Sequence, residues 1–252
     1  MKKSPVNRFV MSTVLATALL PISAVGAEWS YGGDTGPEHW GDLDPAYHLC
    51  KDGFTQSPVD LANAMPDQFA TLKFSYKSSA LNVVNNGHTI QVNYDDGAGK
   101  LFIDDEEYKL LQFHFHSPSE HTEVGYPYPM EVHFVHVNSD GQLAVVGIFI
   151  QEGEHNDTIQ HIWDAESAVA NQSAQISPDG INGKSFFAGN KHEFYAYDGS
   201  LTTPPCAEGV RWFVMKDVSH ASHEQVQHFL NLFGPTARPV QPLYERAIYE
   251  NF

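Results

Sequence analysis

The sequence predicts a mainly β (α+β) fold, a single domain around a large, mostly antiparallel twisted central sheet with short peripheral helices. Three features point there. Most patterned segments alternate apolar and polar residues with the period of two that suits a half-buried strand. Short Asn-, Asp- and Gly-rich turns separate them, and only two segments carry a helical period. No low-complexity linker, second apolar span or internal repeat interrupts the 252 residues, and a hydrophobic content of 42% is ample for one core.

In chain order, residues 1–27 read as an export signal and 28–252 as the folded domain. Lys2, Lys3 and Arg8 precede an uncharged, mostly apolar run over 10–24, and Val25-Gly26-Ala27 offers the small residues a signal peptidase reads. A membrane anchor is the alternative, but the run is shorter than the roughly 20 apolar residues a span needs. The following stretch is rich in Gly, Pro and aromatic residues and reads as irregular. Strand patterns then occupy 72–76, 89–94, 108–116, 130–137, 143–151, 193–197 and 210–214. Asn85-Asn86-Gly87, Asp95-Asp96-Gly97 and Asp140-Gly141 mark turns. Residues 156–165 form one candidate helix. The other takes Ser222 as N-cap, aligns Val226, Phe229, Leu230 and Phe233 on one face, and stops at Gly234-Pro235.

The chain carries 14 basic and 31 acidic residues, a formal charge of −17. Residues 1–27 hold basic residues and no acid, so their removal makes the domain more acidic still. Such a surface repels nucleic acid and anionic lipid, and neither is expected as a partner after signal cleavage. Export places the domain in the periplasm or, alternatively, outside the cell. In an oxidising compartment Cys50 and Cys206, the two cysteines of the sequence, are expected to form a disulfide rather than remain two free thiols. Cys206 directly follows Leu201-Thr202-Thr203-Pro204-Pro205, so a bridge would pin that loop.

Chemistry enters at Phe113-His114-Phe115-His116. Side chains alternate across a sheet, so the two imidazoles share one face and the phenylalanines the other. His133 lies in a second strand pattern, and a turn around 125–129 would bring that strand alongside. Three neutral imidazoles leave a divalent ion at its full charge, and three protein ligands leave a position open for water. The residues alone also allow hydrogen-bonded core histidines. They also allow a cupin-type iron site, because His114-x-His116-x-x-x-Glu120 fits the first half of a cupin motif with Glu120 as ligand. No second cupin motif follows.

Several motifs occur in one order. Gln56-Ser57-Pro58-Val59-Asp60 and Asn85-Asn86-Gly87-His88 come first. Gln112 to His116, Ser119-Glu120-His121-Thr122 and Glu131-Val132-His133-Phe134-Val135-His136 follow. Gly199-Ser200-Leu201-Thr202-Thr203-Pro204-Pro205 and Arg238-Pro239-Val240-Gln241-Pro242 complete the series. Together they resemble the alpha-class carbonic anhydrases of exported bacterial type, and the resemblance covers nearly all of the chain after Trp29.

The resemblance implies zinc-dependent hydration of carbon dioxide to bicarbonate, with His114, His116 and His133 as Zn2+ ligands. Gln112 and Glu131 would orient His114 and His133 from outside the metal shell. Thr202 would pass its proton to Glu120, an acceptor-only carboxylate, and so aim a zinc-held hydroxide at the substrate. Thr203 would contact bicarbonate. Val135, Val145, Leu201, Val210 and Trp212 would wall an apolar pocket suited to a molecule with no dipole. His88 would shuttle the proton, since an imidazole titrates in the right range, with Tyr31 and Asn86 ordering the connecting water. Ser57-Pro58 and Pro204-Pro205 are candidate cis peptides. A homodimer is an oligomer found among similar bacterial proteins. A binding module on the same fold, without activity, is the non-enzyme alternative, but such proteins lack ligand histidines that this sequence keeps.

Overall fold

A computed structural model describes residues 26–67, 70–169, 174–187, 189 and 193–251. The export signal of 1–27 therefore lies almost entirely outside the described residues. The strands are β1 (Met65–Pro66), β2 (Leu72–Tyr76), β3 (Ser79–Asn85), β4 (Ile90–Asn93), β5 (Gly99–Ile103), β6 (Glu106–His116), β7 (Thr122–Glu123), β8 (Tyr126–Pro127), β9 (Met130–Val137), β10 (Leu143–Glu152), β11 (Ala174–Ile181), β12 (Phe194–Ser200), β13 (Glu208–Ala221) and β14 (Tyr249–Asn251). Among the described residues four short α-helices accompany them, α1 (Trp40–Leu43), α2 (Leu49–Asp52), α3 (Asp157–Val169) and α4 (His223–Phe233).

Twelve strands form one sheet, whose main path runs β1-β14-β12-β13-β10-β9-β6-β4-β3-β11. β5 also pairs with β6, and β2 with β5. Most neighbours are antiparallel, as the short turns predict. The exceptions are β1 with β14 and, at the centre, β10 with β13. Local patterning cannot foresee that central pair, because α3, β11 and β12 intervene and a parallel partner needs a long crossover. β3, β5 and β11 are also absent from the sequence expectation. In β3, Ala80-Leu81-Asn82-Val83-Val84 alternates only weakly in polarity.

The two longer helices show their start signals plainly. Asn156 accepts from Thr158 N–H and Ile159 N–H at the head of α3. Ser222 and Gln225 form a reciprocal capping box on α4, which ends at Gly234 with φ 68°. Both helices sit on one face of the sheet, over a core that includes Phe113, Phe115, Phe134, Trp163, Phe186 and Phe229. The opposite face carries a smaller cluster with Val135, Val145, Phe149, Tyr197, Val210 and Trp212.

A bulge in β6 decides which face receives the histidines. Tyr108 and Leu110 belong to the large core, and so do Phe113 and Phe115. An unbroken period of two cannot place both pairs on one side. The register with β9 slips between Leu110 and Gln112, leaving Leu111 as the extra residue, exposed to solvent. Beyond the slip the phase reverses, so His114 and His116 turn away from the large core.

Candidate metal centre and active site

His114 and His133 face each other directly across β6 and β9, and His116 stands opposite Glu131. The three rings converge. Their centroids are 5.1 Å (His114–His116), 5.4 Å (His114–His133) and 4.7 Å (His116–His133) apart. One nitrogen from each lies within 4.8 Å of the others, a spacing one ion can bridge. His116 and His133 are buried.

An acceptor atom lies beside the outer nitrogen of each ring. His114 Nδ1 is 2.8 Å from Gln112 Oε1, and His116 Nδ1 is 2.7 Å from the carbonyl of Thr236. His133 Nε2 is 3.0 Å from Glu131 Oε1, close in distance though oblique in angle. A carbonyl or carboxylate only accepts, so each of these nitrogens carries the proton. The inner nitrogens, His114 Nε2, His116 Nε2 and His133 Nδ1, then present lone pairs. Burial, reinforced by repulsion from His116 and His133, holds His114 well below the ordinary imidazole range. Burial takes His116 down to about 4 and lowers His133. The inner nitrogen of His116 is buried without a hydrogen-bond partner. Neutral rings, fixed tautomers and an orphaned inward nitrogen fit a divalent cation held by imidazoles.

Glu131 is the hub behind the ligands. Its Oε2 accepts the backbone N–H of Glu120 at 2.9 Å and of His121 at 3.0 Å. Its Oε1 meets His121 Nδ1 at 2.8 Å as well as His133. Burial raises a carboxyl, but the histidines and the donated hydrogen bonds win and hold Glu131 well below its usual range. Glu131 pairs with His121 and stands 3.0 Å from His133, which accounts for that second close group without an ion. From His121 the network continues through Tyr197 OH (2.7 Å) and Ser57 Oγ (2.8 Å) to the N–H of Ser200 (3.0 Å), at the foot of the 201–206 loop. Gly147, on β10 beside His133, makes room for this hub: a Cβ there would come within 2.7 Å of Glu131 Oε1. Sequence reasoning passed over Gly147 and Tyr197. A glycine inside an otherwise apolar strand pattern is the signal that could have found the first.

Glu120 Oε1 accepts the backbone N–H of Arg238 at 2.9 Å, while its Oε2 lies 3.5 Å from His116 Nε2 and 3.8 Å from His133 Nδ1. Burial pushes Glu120 up to about 7. The side chains that could share one ion are the three histidines, a group that does not include Glu120 as the cupin arrangement would require. Val135, Val145 and Trp212 lie in one row across β9, β10 and β13. Val210 and Leu201 complete the cluster, and Trp212 stands edge-on to His133 with centroids 4.9 Å apart. Thr203 accepts the Cys206 N–H through its carbonyl, within the turn that follows Thr202. Cys50 and Cys206 are bridged, and no free cysteine remains. Ser57-Pro58 and Pro204-Pro205 are cis, as is Ser117-Pro118.

His88 sits in the turn between β3 and β4, half-buried, and that burial lowers its pKa. Its ring stacks on Trp29 with centroids 3.8 Å apart and planes 8° from parallel. Tyr31 lies between the two regions, 6.5 Å from both His88 and His116 by centroid. Asn86 commits its carbonyl to the turn, accepting the N–H groups of His88 (2.9 Å) and Thr89 (3.0 Å). Trp29 is a further residue that sequence reasoning missed, since it lies in the irregular N-terminal stretch.

The profile of the eukaryotic-type carbonic anhydrase family matches residues 35–252. The chain belongs to the eukaryotic-type, or alpha, carbonic anhydrase family. Among its relatives, the carbonic anhydrase of Nostoc sp. is 43% identical over 235 residues, covering 91% of this chain and 88% of the relative. That of Neisseria gonorrhoeae is 37% identical over 245 residues, covering 95% and 96%. The alpha-carbonic anhydrase of Thermovibrio ammonificans, solved with the inhibitor sulfanilamide, superimposes with a TM-score of 0.84 at 43% identity. It covers 89% of this chain and 99% of its own. These relatives are carbonic anhydrases, and the Thermovibrio enzyme shares the fold of this chain.

Proposed function

We propose that the protein catalyses the reversible hydration of carbon dioxide to bicarbonate and a proton, using Zn2+ held by His114, His116 and His133. The observation that carries this reading is the trio of converging, neutral imidazoles beside a buried apolar row. When bound, the ion supplies Lewis acidity that makes a hydroxide nucleophile available near neutral pH. Gln112, the Thr236 carbonyl and Glu131 keep the ligand rings from rotating and fix their tautomers, while burial keeps the rings neutral. In its ionised form Glu120 can only accept, so the Thr202 hydroxyl would donate to it and turn a lone pair toward the cleft. Thr202 then orients the attacking oxygen, and Thr203 contacts the product. Val135, Val145, Leu201, Val210 and Trp212 exclude water from the place where a nonpolar substrate sits. His88 takes the released proton to solvent past Tyr31 and Asn86.

No helix among the described residues is long and apolar enough to cross a membrane. The disulfide supports export to the periplasm, where oxidising conditions maintain it.

Stopped-flow carbon dioxide hydration tests the proposal. His133→Ala should lose zinc and activity together. His88→Ala should slow turnover mainly in weak buffer and recover with added imidazole. Full activity of a zinc-free His133→Ala protein would overturn the metal assignment, and an unchanged buffer dependence would overturn the shuttle.

A further inference from the structure

Two anchors hold the turn that carries His88. On one side Thr89 Oγ1 donates to the carbonyl of Phe115 at 2.5 Å and accepts the N–H of Phe115 at 3.2 Å, which ties the turn to the strand between His114 and His116. The other anchor belongs to residues outside the chemistry described so far. Asn85 Nδ2 donates to Glu166 Oε1 at 2.8 Å, and Asn85 Oδ1 accepts the N–H of Gly87 at 3.0 Å. Gly87 has φ 84° and immediately precedes His88.

We propose that Glu166 and Asn85 are positioning residues for His88, setting the turn from helix α3; this rests on the reading of His88 as proton shuttle. Glu166 is buried, and its other oxygen faces His228 Nε2 at 3.8 Å, beyond hydrogen-bond distance. Burying a carboxylate is costly unless donors reach it, and Asn85 supplies one. The direction of that bond matters most. A carboxylate cannot donate, so the Asn85 amide must turn its NH2 toward Glu166. Its carbonyl oxygen is then forced toward the turn, where the Gly87 N–H waits. Without Glu166 the amide could flip and present a donor to a donor.

The fixed point is rigid. Ile159, Ile162, Trp163 and Ala165 of α3 are all in the large core. Trp163 stands edge-on to Phe115 with centroids 4.9 Å apart, so α3 is indexed to the strand that bears the ligands. Helix and strand together set where the imidazole of His88 stands relative to the metal centre. Proton transfer through ordered water is sensitive to that placement, as any step between prepositioned groups is.

Hydration kinetics of the zinc-loaded protein, in weak and in strong buffer, test this with five variants. Asn85→Ala should lower turnover in weak buffer by about threefold or more while leaving kcat/KM for carbon dioxide near wild type, because only proton export depends on the turn. Asn85→Asp should do the same by placing an acceptor against Glu166. The pair Asn85→Asp with Glu166→Gln reverses donor and acceptor and should restore weak-buffer turnover, while Glu166→Gln alone gives an intermediate loss. A general loss of packing would instead lower kcat/KM and zinc content. Wild-type buffer dependence in Asn85→Ala, alongside a slowed His88→Ala, would overturn the positioning role and leave the shuttle intact. If His88→Ala itself is unaffected, the shuttle reading fails first and takes this inference with it.

Discussion

At the scale of single residues, space and protonation both serve the ligand shell. Gly147 sits where a Cβ would press on Glu131 Oε1, and Glu131 cannot yield because two side chains and two backbone amides hold it. Gly147→Ala should therefore leave the fold intact but weaken zinc binding by about 10- to 100-fold, as loss of a ligand's outer partner does. Competition with a chelator measures it, and unchanged affinity would show that the hub tolerates displacement. His136 makes a different point. It is buried in the large core's half of the sheet, where its Nε2 is 2.6 Å from Tyr76 OH and its Nδ1 3.2 Å from the Ala144 carbonyl. Burial lowers its pKa from 6.5 to about 4. A depressed imidazole contributes stability that is complete above the unfolded value and is lost as pH falls toward the folded one. The window is thus pH 6.5 down to about 4, with a loss on the order of 3 kcal/mol. His136→Gln should show a shallower decline of unfolding free energy across that window. Parallel declines would mean that other groups carry the acid sensitivity.

At the scale of elements, local signals were reliable where one residue decides the geometry. Ser222 as N-cap and Gly234 as stop predict α4 from sequence, and the capping box confirms the physical reason. The β6 bulge was not legible, because Leu110-Leu111-Gln112 reads as continuous strand until β9 shows the slip. The hairpin of β7 and β8 offers a stability test. Glu123 pairs with Tyr126, leaving Val124 and Gly125 as a two-residue loop with φ 53° and 81°. Positive φ at both positions suits Asn-Gly, whereas a β-branched residue is strained there. Val124 is exposed and gives up little contact if replaced. Val124→Asn should stabilise the protein by about 1 kcal/mol in urea unfolding. A loss of stability would show that the exposed valine makes contacts worth more than the strain.

At the scale of the whole molecule, the Cys50–Cys206 bridge joins residues separated by 156 positions. It ties helix α2 to the loop bearing Thr202 and Thr203. Arg238 reinforces the same junction by donating to the Cys50 carbonyl at 2.9 Å, Gln56 Oε1 at 2.8 Å and the Ser57 carbonyl at 2.8 Å. Closing so long a loop is worth up to about 5 kcal/mol in the chain-entropy account. Cys50→Ala with Cys206→Ala should lower the unfolding free energy by several kcal/mol, and reductant should depress the wild-type Tm but not that of the double variant. Equal Tm values with and without the bridge would place the stabilisation elsewhere.

The sequence by itself determined the chemistry that repeats within a strand or a turn. His114 and His116 share a face, Gln112 and Glu131 lie on the ligands' own strands, and the motif order names the family. Those features depend on spacings of two residues and on backbone preferences that act locally. Only the tertiary structure decided which face of the sheet the histidines meet, that β10 runs parallel to β13, that Gly147 yields room to Glu131, and that Glu166 reaches Asn85. Each of these is a meeting of segments far apart in the chain. Burial and steric exclusion across the assembled sheet select such meetings, and no local pattern records them.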